Sequence, residues 1–114
     1  MPEPVYPPPT KDLALKRREL APDAQAAFEA FSQAVFRDGA LQTKTKQLIA
    51  VAVAHVTQCP YCIRSHTRAA LRQGATQQEI MEAIWVAAEM RAGGAYAHSL
   101  ISLTAMEEEH EHST

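Results

Sequence analysis

Between Thr43 and Gly74 the chain reads as two helices hinged at a single proline. The run Leu48-Ile49-Ala50-Val51-Ala52-Val53-Ala54 is apolar nearly all round, which predicts a central, buried helix starting at Thr43. Pro60 disfavours helical geometry in the residue before it, so this helix must stop near Thr57-Gln58-Cys59. The same proline suits the first position of a following helix, where its missing N–H costs nothing, and Cys59 becomes the cap. That next helix covers Pro60–Gln73 and ends at Gly74.

The flanking sequence extends the helical pattern. Apolar residues are 46% of the 114 and aromatics only 6%, so the core would be Ala, Leu, Ile and Val, a composition that favours helix. Thr10 can cap a short helix over Lys11–Glu19 with a solvated, charged face. Pro22 opens another helix, in which Ala26, Phe28, Phe31, Val35 and Phe36 form one buried stripe and Gly39 is the stop. Thr76-Gln77-Gln78-Glu79 is a capping box, starting a helix that turns Ile80, Ala83, Ile84, Ala87 and Ala88 to the core. Gly93-Gly94 is expected to break it, leaving a last helix over Ala95–Met106. No strand pattern is present. The expectation is a compact all-α fold of about six helices over residues 11–106. A proline-rich extended arm at 1–10 precedes it, holding five of the seven prolines, and an acidic, frayed tail at 107–114 follows. The arm either crosses a neighbouring subunit or stays disordered.

Bulk properties narrow the function. The net charge is −2, from 11 basic and 13 acidic residues, and no basic stripe appears, which argues against nucleic acid. The longest apolar run is far short of the roughly 20 residues a membrane span needs. The N-terminus lacks the basic and apolar regions of a signal peptide, so a cytoplasmic location is expected. A chain this short buries a modest core, and its Ala-rich helices and arm predict apolar faces completed in a homo-oligomer. In a reducing compartment, two cysteines three residues apart point to redox or metal chemistry rather than to a structural staple.

Cys59 and Cys62, at i and i+3, face the same way with Cα atoms about 5–6 Å apart, inside the range a disulfide accepts. Both sit in a first helical turn, where unpaired N–H groups and the helix dipole stabilise a thiolate. His66 lies four residues after Cys62 on the same face and can exchange a proton with its sulfur. This spacing favours Cys62 as the attacking thiol and Cys59 as the resolving thiol. Thioredoxin-type logic, in which the cap position feels the helix terminus most, gives the reverse order. The bland reading is a pair of small core residues.

Zinc is the sharper rival, because His55, Cys59, Cys62 and His66 read as His-x3-Cys-x2-Cys-x3-His. An unbroken helix would spread them over roughly 16 Å. Ligands of one zinc must converge within about 2.0–2.3 Å of the ion. The break at Pro60 can fold His55 inward, so this reading stays open, though no metal or cofactor is the expectation.

Tyr61 can shield the sulfurs, donate a hydrogen bond or simply pack. Glu89 lies beside Ile84-Trp85-Val86-Ala87-Ala88, where a carboxylate needs a partner that Arg91, two residues on, does not face. Arg64 and Arg68 read as a solvated face rather than an anion clamp, His98 as a surface or interface residue, and Trp85 as core or interface.

Three segments together resemble the carboxymuconolactone decarboxylase superfamily, and more narrowly its alkylhydroperoxidase D-like branch: Lys44-x-Lys46-x-Leu48-Ile49-Ala50, Cys59-Pro60-Tyr61-Cys62-Ile63-Arg64-Ser65-His66-Thr67 and Ala69-Ala70-Leu71-x-x-Gly74-Ala75-Thr76. The resemblance spans about Leu41–Leu103. It implies a helical fold assembled into trimers or hexamers. It also implies reduction of hydroperoxides by the cysteine pair, with the second cysteine as nucleophile and the first as resolver. In the mycobacterial system of this branch a lipoyl-bearing partner returns the electrons. The branch usually carries a Glu twelve residues before the first cysteine as part of a proton relay, and here that position is Gln47. A Gln can hold a hydrogen bond but cannot take up a proton at neutral pH. Either another group such as Glu89 or His55 serves the relay, or the activity is weak or different, or Gln47 is an introduced replacement.

The leading expectation is a thiol-dependent peroxidase or disulfide reductase with catalytic residues Cys62, Cys59, His66, Gln47, Glu89 and Tyr61. Its substrate would be a hydroperoxide or disulfide, and its electron donor a lipoyl- or thioredoxin-like thiol. The alternatives are a decarboxylase or lactone-processing enzyme using His66, and a zinc-structured or non-catalytic module.

Overall fold

The computed structural model describes residues 5–113; Met1–Pro4 of the expected arm and Thr114 of the tail lie outside them. Among the described residues there are five helices and no strand: α1 Lys11–Leu20, α2 Pro22–Phe36, α3 Thr43–Thr57, α4 Pro60–Arg72 and α5 Gln77–Ser113.

The boundaries follow local chemistry. The Leu13 N–H donates to the Thr10 hydroxyl (3.3 Å), capping α1, and Pro22 opens α2. α2 ends at Phe36, before Gly39, because the α2–α3 loop is fastened from the far side. Lys46 Nζ donates to the Val35 carbonyl (2.8 Å), and the Asp38 carboxylate accepts the Thr43 N–H (2.7 Å). Asp38 thus caps α3 from outside the helix, and the bonds from the Thr43 N–H and then its hydroxyl hold its carboxyl below the usual range. α4 ends where Gly74 takes a φ of +93°, and the Ala75 N–H returns to the Ala70 carbonyl (2.9 Å). The Thr76–Glu79 capping box forms in both directions, at 2.9 and 3.0 Å. Lys44 Nζ pairs with Glu79 at 2.9 Å and ties the start of α5 to α3.

α3 is the central element, packed on α4 and α5. Val51 and Ala70 are fully buried, and with Ala75 and Ile80 they make the core, flanked by half-buried Leu48 and Ile84. A Leu or Val buried in this way stabilises the fold by roughly 1.5–3 kcal/mol.

Several expectations are corrected. Gly93-Gly94 does not break the chain: α5 runs unbroken for 37 residues. A helical glycine costs about 1 kcal/mol against alanine but blocks nothing, and alanines on both sides carry the helix through. The acidic segment from Glu107 therefore continues α5 as helix. The α2 stripe is not buried within the chain, since Phe28 and Phe31 are 66% and 64% exposed. α3 buries only one side, leaving Ile49, Val53 and Val56 exposed, and on α5 Trp85 and Ala88 are exposed as well. Nor is the single chain compact. Its radius of gyration is 20.3 Å, against about 13 Å for a compact chain of this length. The described part of the arm packs against its own α4: the rings of Tyr6 and Tyr61 meet edge-to-face at 5.8 Å.

None of the described helices is long and apolar enough to cross a membrane. The uncovered faces of α2, α3 and α5 instead lead to an expected solution mass of several times 12.5 kDa. Light scattering at micromolar concentration checks this, and a 12.5 kDa particle would contradict it.

Candidate functional site

The site begins where α3 stops. Gln58 takes a left-handed conformation, φ 59° and ψ 46°, and the Cys59 N–H turns back to the Ala54 carbonyl (3.2 Å). A non-glycine residue there costs on the order of 1 kcal/mol, and the turn it makes sets Cys59 at the cap of α4. Cys59 has extended geometry, φ −98° and ψ 104°, and Pro60 takes the first helical position. The Cys59 sulfur accepts the Cys62 N–H at 3.3 Å, the role a Ser or Asp oxygen usually plays.

Both cysteines are free and half-buried, and their sulfurs lie 2.6 Å apart. Their acidities are driven apart. The Cys59 thiol is held below its ordinary value, first by the hydrogen bond with the Cys62 thiol and then by the Cys62 N–H. Cys62 is pushed up by the same bond with Cys59 and then by burial. Cys59, at the helix N-terminus, is therefore the more acidic thiol of the pair and Cys62 the less acidic.

His66 sits one turn beyond Cys62 on α4. Its Nδ1 donates to Oε1 of Gln47 on α3 (2.7 Å), so the basic lone pair is left on Nε2. Gln47 is a buried polar side chain set among core residues. The imidazole lies against the ring of Phe36, with centroids 5.2 Å apart and planes 23° apart. Burial holds the His66 pKa below its ordinary 6.5, so the ring is neutral at pH 7.

Four expected site residues thus come together as two contacting pairs: Cys59 with Cys62, and Gln47 with His66. The others lie elsewhere. The Tyr61 side chain turns away from the sulfurs, its hydroxyl donating to the Pro7 carbonyl at 2.7 Å, and only its backbone N–H helps hold Cys59 low. Glu89 is exposed on α5, and the hydrogen bonds of the thiols and His66 do not run to it. His55 Nδ1 donates to the Val51 carbonyl at 2.7 Å. The His55–His66 motif is not gathered, and among the described residues no group of three or more His, Cys, Asp and Glu is placed to hold a metal ion. Phe36 was missed as a site residue. Nothing in its spacing separates it from the apolar stripe of α2, and it meets His66 only because the loop after it is fastened.

Comparison with known proteins identifies the family. A model of the carboxymuconolactone decarboxylase family matches residues 22–105. An uncharacterized protein of Paracoccus denitrificans, protein 4 in its cox locus, is 66% identical over 82 residues, which are 72% of this chain and 74% of that protein. A carboxymuconolactone decarboxylase family protein of Legionella pneumophila superposes with a TM-score of 0.67 at 37% identity, covering 87% of this chain and 91% of that one. Another family protein, from Thermotoga maritima, for which a part in an antioxidative response has been suggested, gives a TM-score of 0.54 at 28% identity, over 70% and 92% of the two chains. By sequence and fold together, the chain belongs to the carboxymuconolactone decarboxylase family.

Proposed function

We propose that this protein is a thiol-dependent peroxidase or disulfide reductase in which Cys59 and Cys62 cycle between dithiol and disulfide. The observation that carries this reading is the contact between two free sulfurs, 2.6 Å apart, at a helix N-terminus. A pair so placed closes into a disulfide with little backbone movement. The antioxidative role suggested for the Thermotoga relative supports the same reading.

Cys62 passes its proton to Nε2 of His66. The Cys62 thiolate attacks the distal oxygen of a hydroperoxide, the O–O bond breaks, and the departing alkoxide takes that proton and leaves as an alcohol. Cys62 is now a sulfenic acid. The Cys59 sulfur attacks it, an S–S bond forms, and the hydroxide leaves as water with the proton of the Cys59 thiol. Two thiols and one hydroperoxide have become a disulfide, an alcohol and water. An external dithiol, lipoyl- or thioredoxin-like, reduces the disulfide and closes the cycle in a reducing cytoplasm. With Gln47 in the relay, the amide orients the imidazole and the proton resides on His66 or the sulfurs. Neighbouring copies, three or six in all, cover the exposed apolar faces.

The reverse order has its own support, because Cys59 is the more acidic thiol of the pair. Single replacements separate the two. With Cys59→Ser, one equivalent of hydroperoxide should leave a sulfenic acid on Cys62 that dimedone traps. Cys62→Ser should lose at least about a hundredfold in turnover, in line with removal of a nucleophile. Trapping on Cys59 in the Cys62→Ser protein, and none in the other, would reverse the assignment.

His66 gives a second prediction. NMR titration should place its midpoint below 6.5. In that window the unfolded chain binds a proton that the folded chain refuses. Stability therefore falls as pH drops from 6.5 toward the folded value and levels off below it. Gln47→Glu should move the midpoint upward, because a carboxylate on Nδ1 favours the imidazolium. An unmoved midpoint in that variant would show that residue 47 does not hold the ring.

A further inference from the structure

The arm and the outer face of α4 enclose a cavity that the thiol chemistry leaves unused. Tyr6 meets Tyr61 edge-to-face, and the Tyr61 hydroxyl is fixed to the Pro7 carbonyl at 2.7 Å. These two contacts hold the arm off the helix like a strap. The space beneath is about 580 Å³, within the range of small-molecule sites. The arm lines it with Tyr6 and its prolines, and α4 with Pro60, Tyr61, Arg64, Ser65 and Arg68. Apolar rings and cationic and hydroxyl side chains thus line the same space.

Arg64 and Arg68 are four residues apart, so both guanidinium groups share one stripe of the helix. Among the described residues neither guanidinium makes a hydrogen bond or ion pair. Like charges at this spacing destabilise a helix, and an anion between them relieves that repulsion. Read from sequence, the two arginines are a solvated face. Exposed in the structure as well, they also line the space beside the arm and form the charged part of an apolar slot. Pro60 and Tyr61 are also the two residues between Cys59 and Cys62, so the wall of the slot is continuous with the segment that bears the sulfurs.

We propose that this slot binds a small amphipathic carboxylate. Its chain or ring lies along the apolar lining of Tyr6, the arm's prolines and Pro60, and its carboxylate rests on Arg64 and Arg68 with the Ser65 hydroxyl as a further donor. Joined to the peroxidase reading, on which this last step rests, the slot assigns the substrate class as a hydroperoxide that carries a carboxylate.

Calorimetric titration of the full chain with octanoate, octanamide and acetate, in the absence of any peroxide, tests the site. Octanoate should saturate. Octanamide, with the same chain and no charge, should bind at least about tenfold more weakly, and acetate should not saturate, since charged hydrogen bonds and the apolar wall are both needed. Arg64→Gln with Arg68→Gln should weaken octanoate at least about tenfold, and Tyr6→Ala should weaken it severalfold. No saturable octanoate binding, equal affinity for octanoate and octanamide, or an unchanged affinity in the double variant would each overturn the site. In turnover, the double variant should raise KM for a carboxylate-bearing hydroperoxide more than for a neutral one. Arginine-dependent octanoate binding without any hydroperoxide turnover supports the site and counts against the peroxidase reading alone. Thiol-dependent turnover with no effect of the arginine replacements on either ligand refutes the site alone.

Discussion

A sulfur stands where a helix ordinarily takes an oxygen, and the rest of the site follows from that substitution. The Cys59 sulfur accepts the N–H of Cys62 at the start of α4. One contact therefore caps a helix, draws a second thiol alongside and stabilises negative charge on the first. The approach to it is equally constrained. Pro60 forbids continuation of α3, and Gln58 accepts a left-handed turn so that the backbone reverses onto α4. Oxidation to a disulfide removes the acidified Cys59 thiol from the helix terminus, so the redox state of the pair is linked to the stability of the first turn of α4.

The second pair works through burial rather than charge. Gln47 sits inside the α3 face and holds one nitrogen of His66, while Phe36 covers the ring. Burial favours the uncharged imidazole, which leaves a base at Nε2 rather than a fixed cation. A Glu at position 47 would do the opposite, holding a positive ring beside the thiols. The departure at Gln47 thus changes which species waits at the site, from a charged relay to a neutral acceptor.

What was legible in the sequence was whatever a few neighbouring residues decide. The hinge at Pro60, the cysteine cap, the Thr76–Glu79 box and the stop at Gly74 all arise within one helical turn, and each is present where the residues put it. Contacts between distant segments were not legible. Gln47 and His66 are 19 residues apart, and the strap of Tyr6 and Pro7 over Tyr61 spans more than 50. Periodicity marks a face as apolar without saying what covers it, which is why Phe28 and Phe31 read as core and stand exposed in the single chain. The two glycines at 93 and 94 misled for another reason: their cost is energetic and small, whereas a proline's is steric.

The central claim is that Cys59 and Cys62 act as one two-electron unit. Counting free thiols in metal-free buffer, before and after one equivalent of a hydroperoxide, tests it most directly. The account predicts that both thiols disappear together and return with a dithiol reductant. Persistence of both thiols would contradict it.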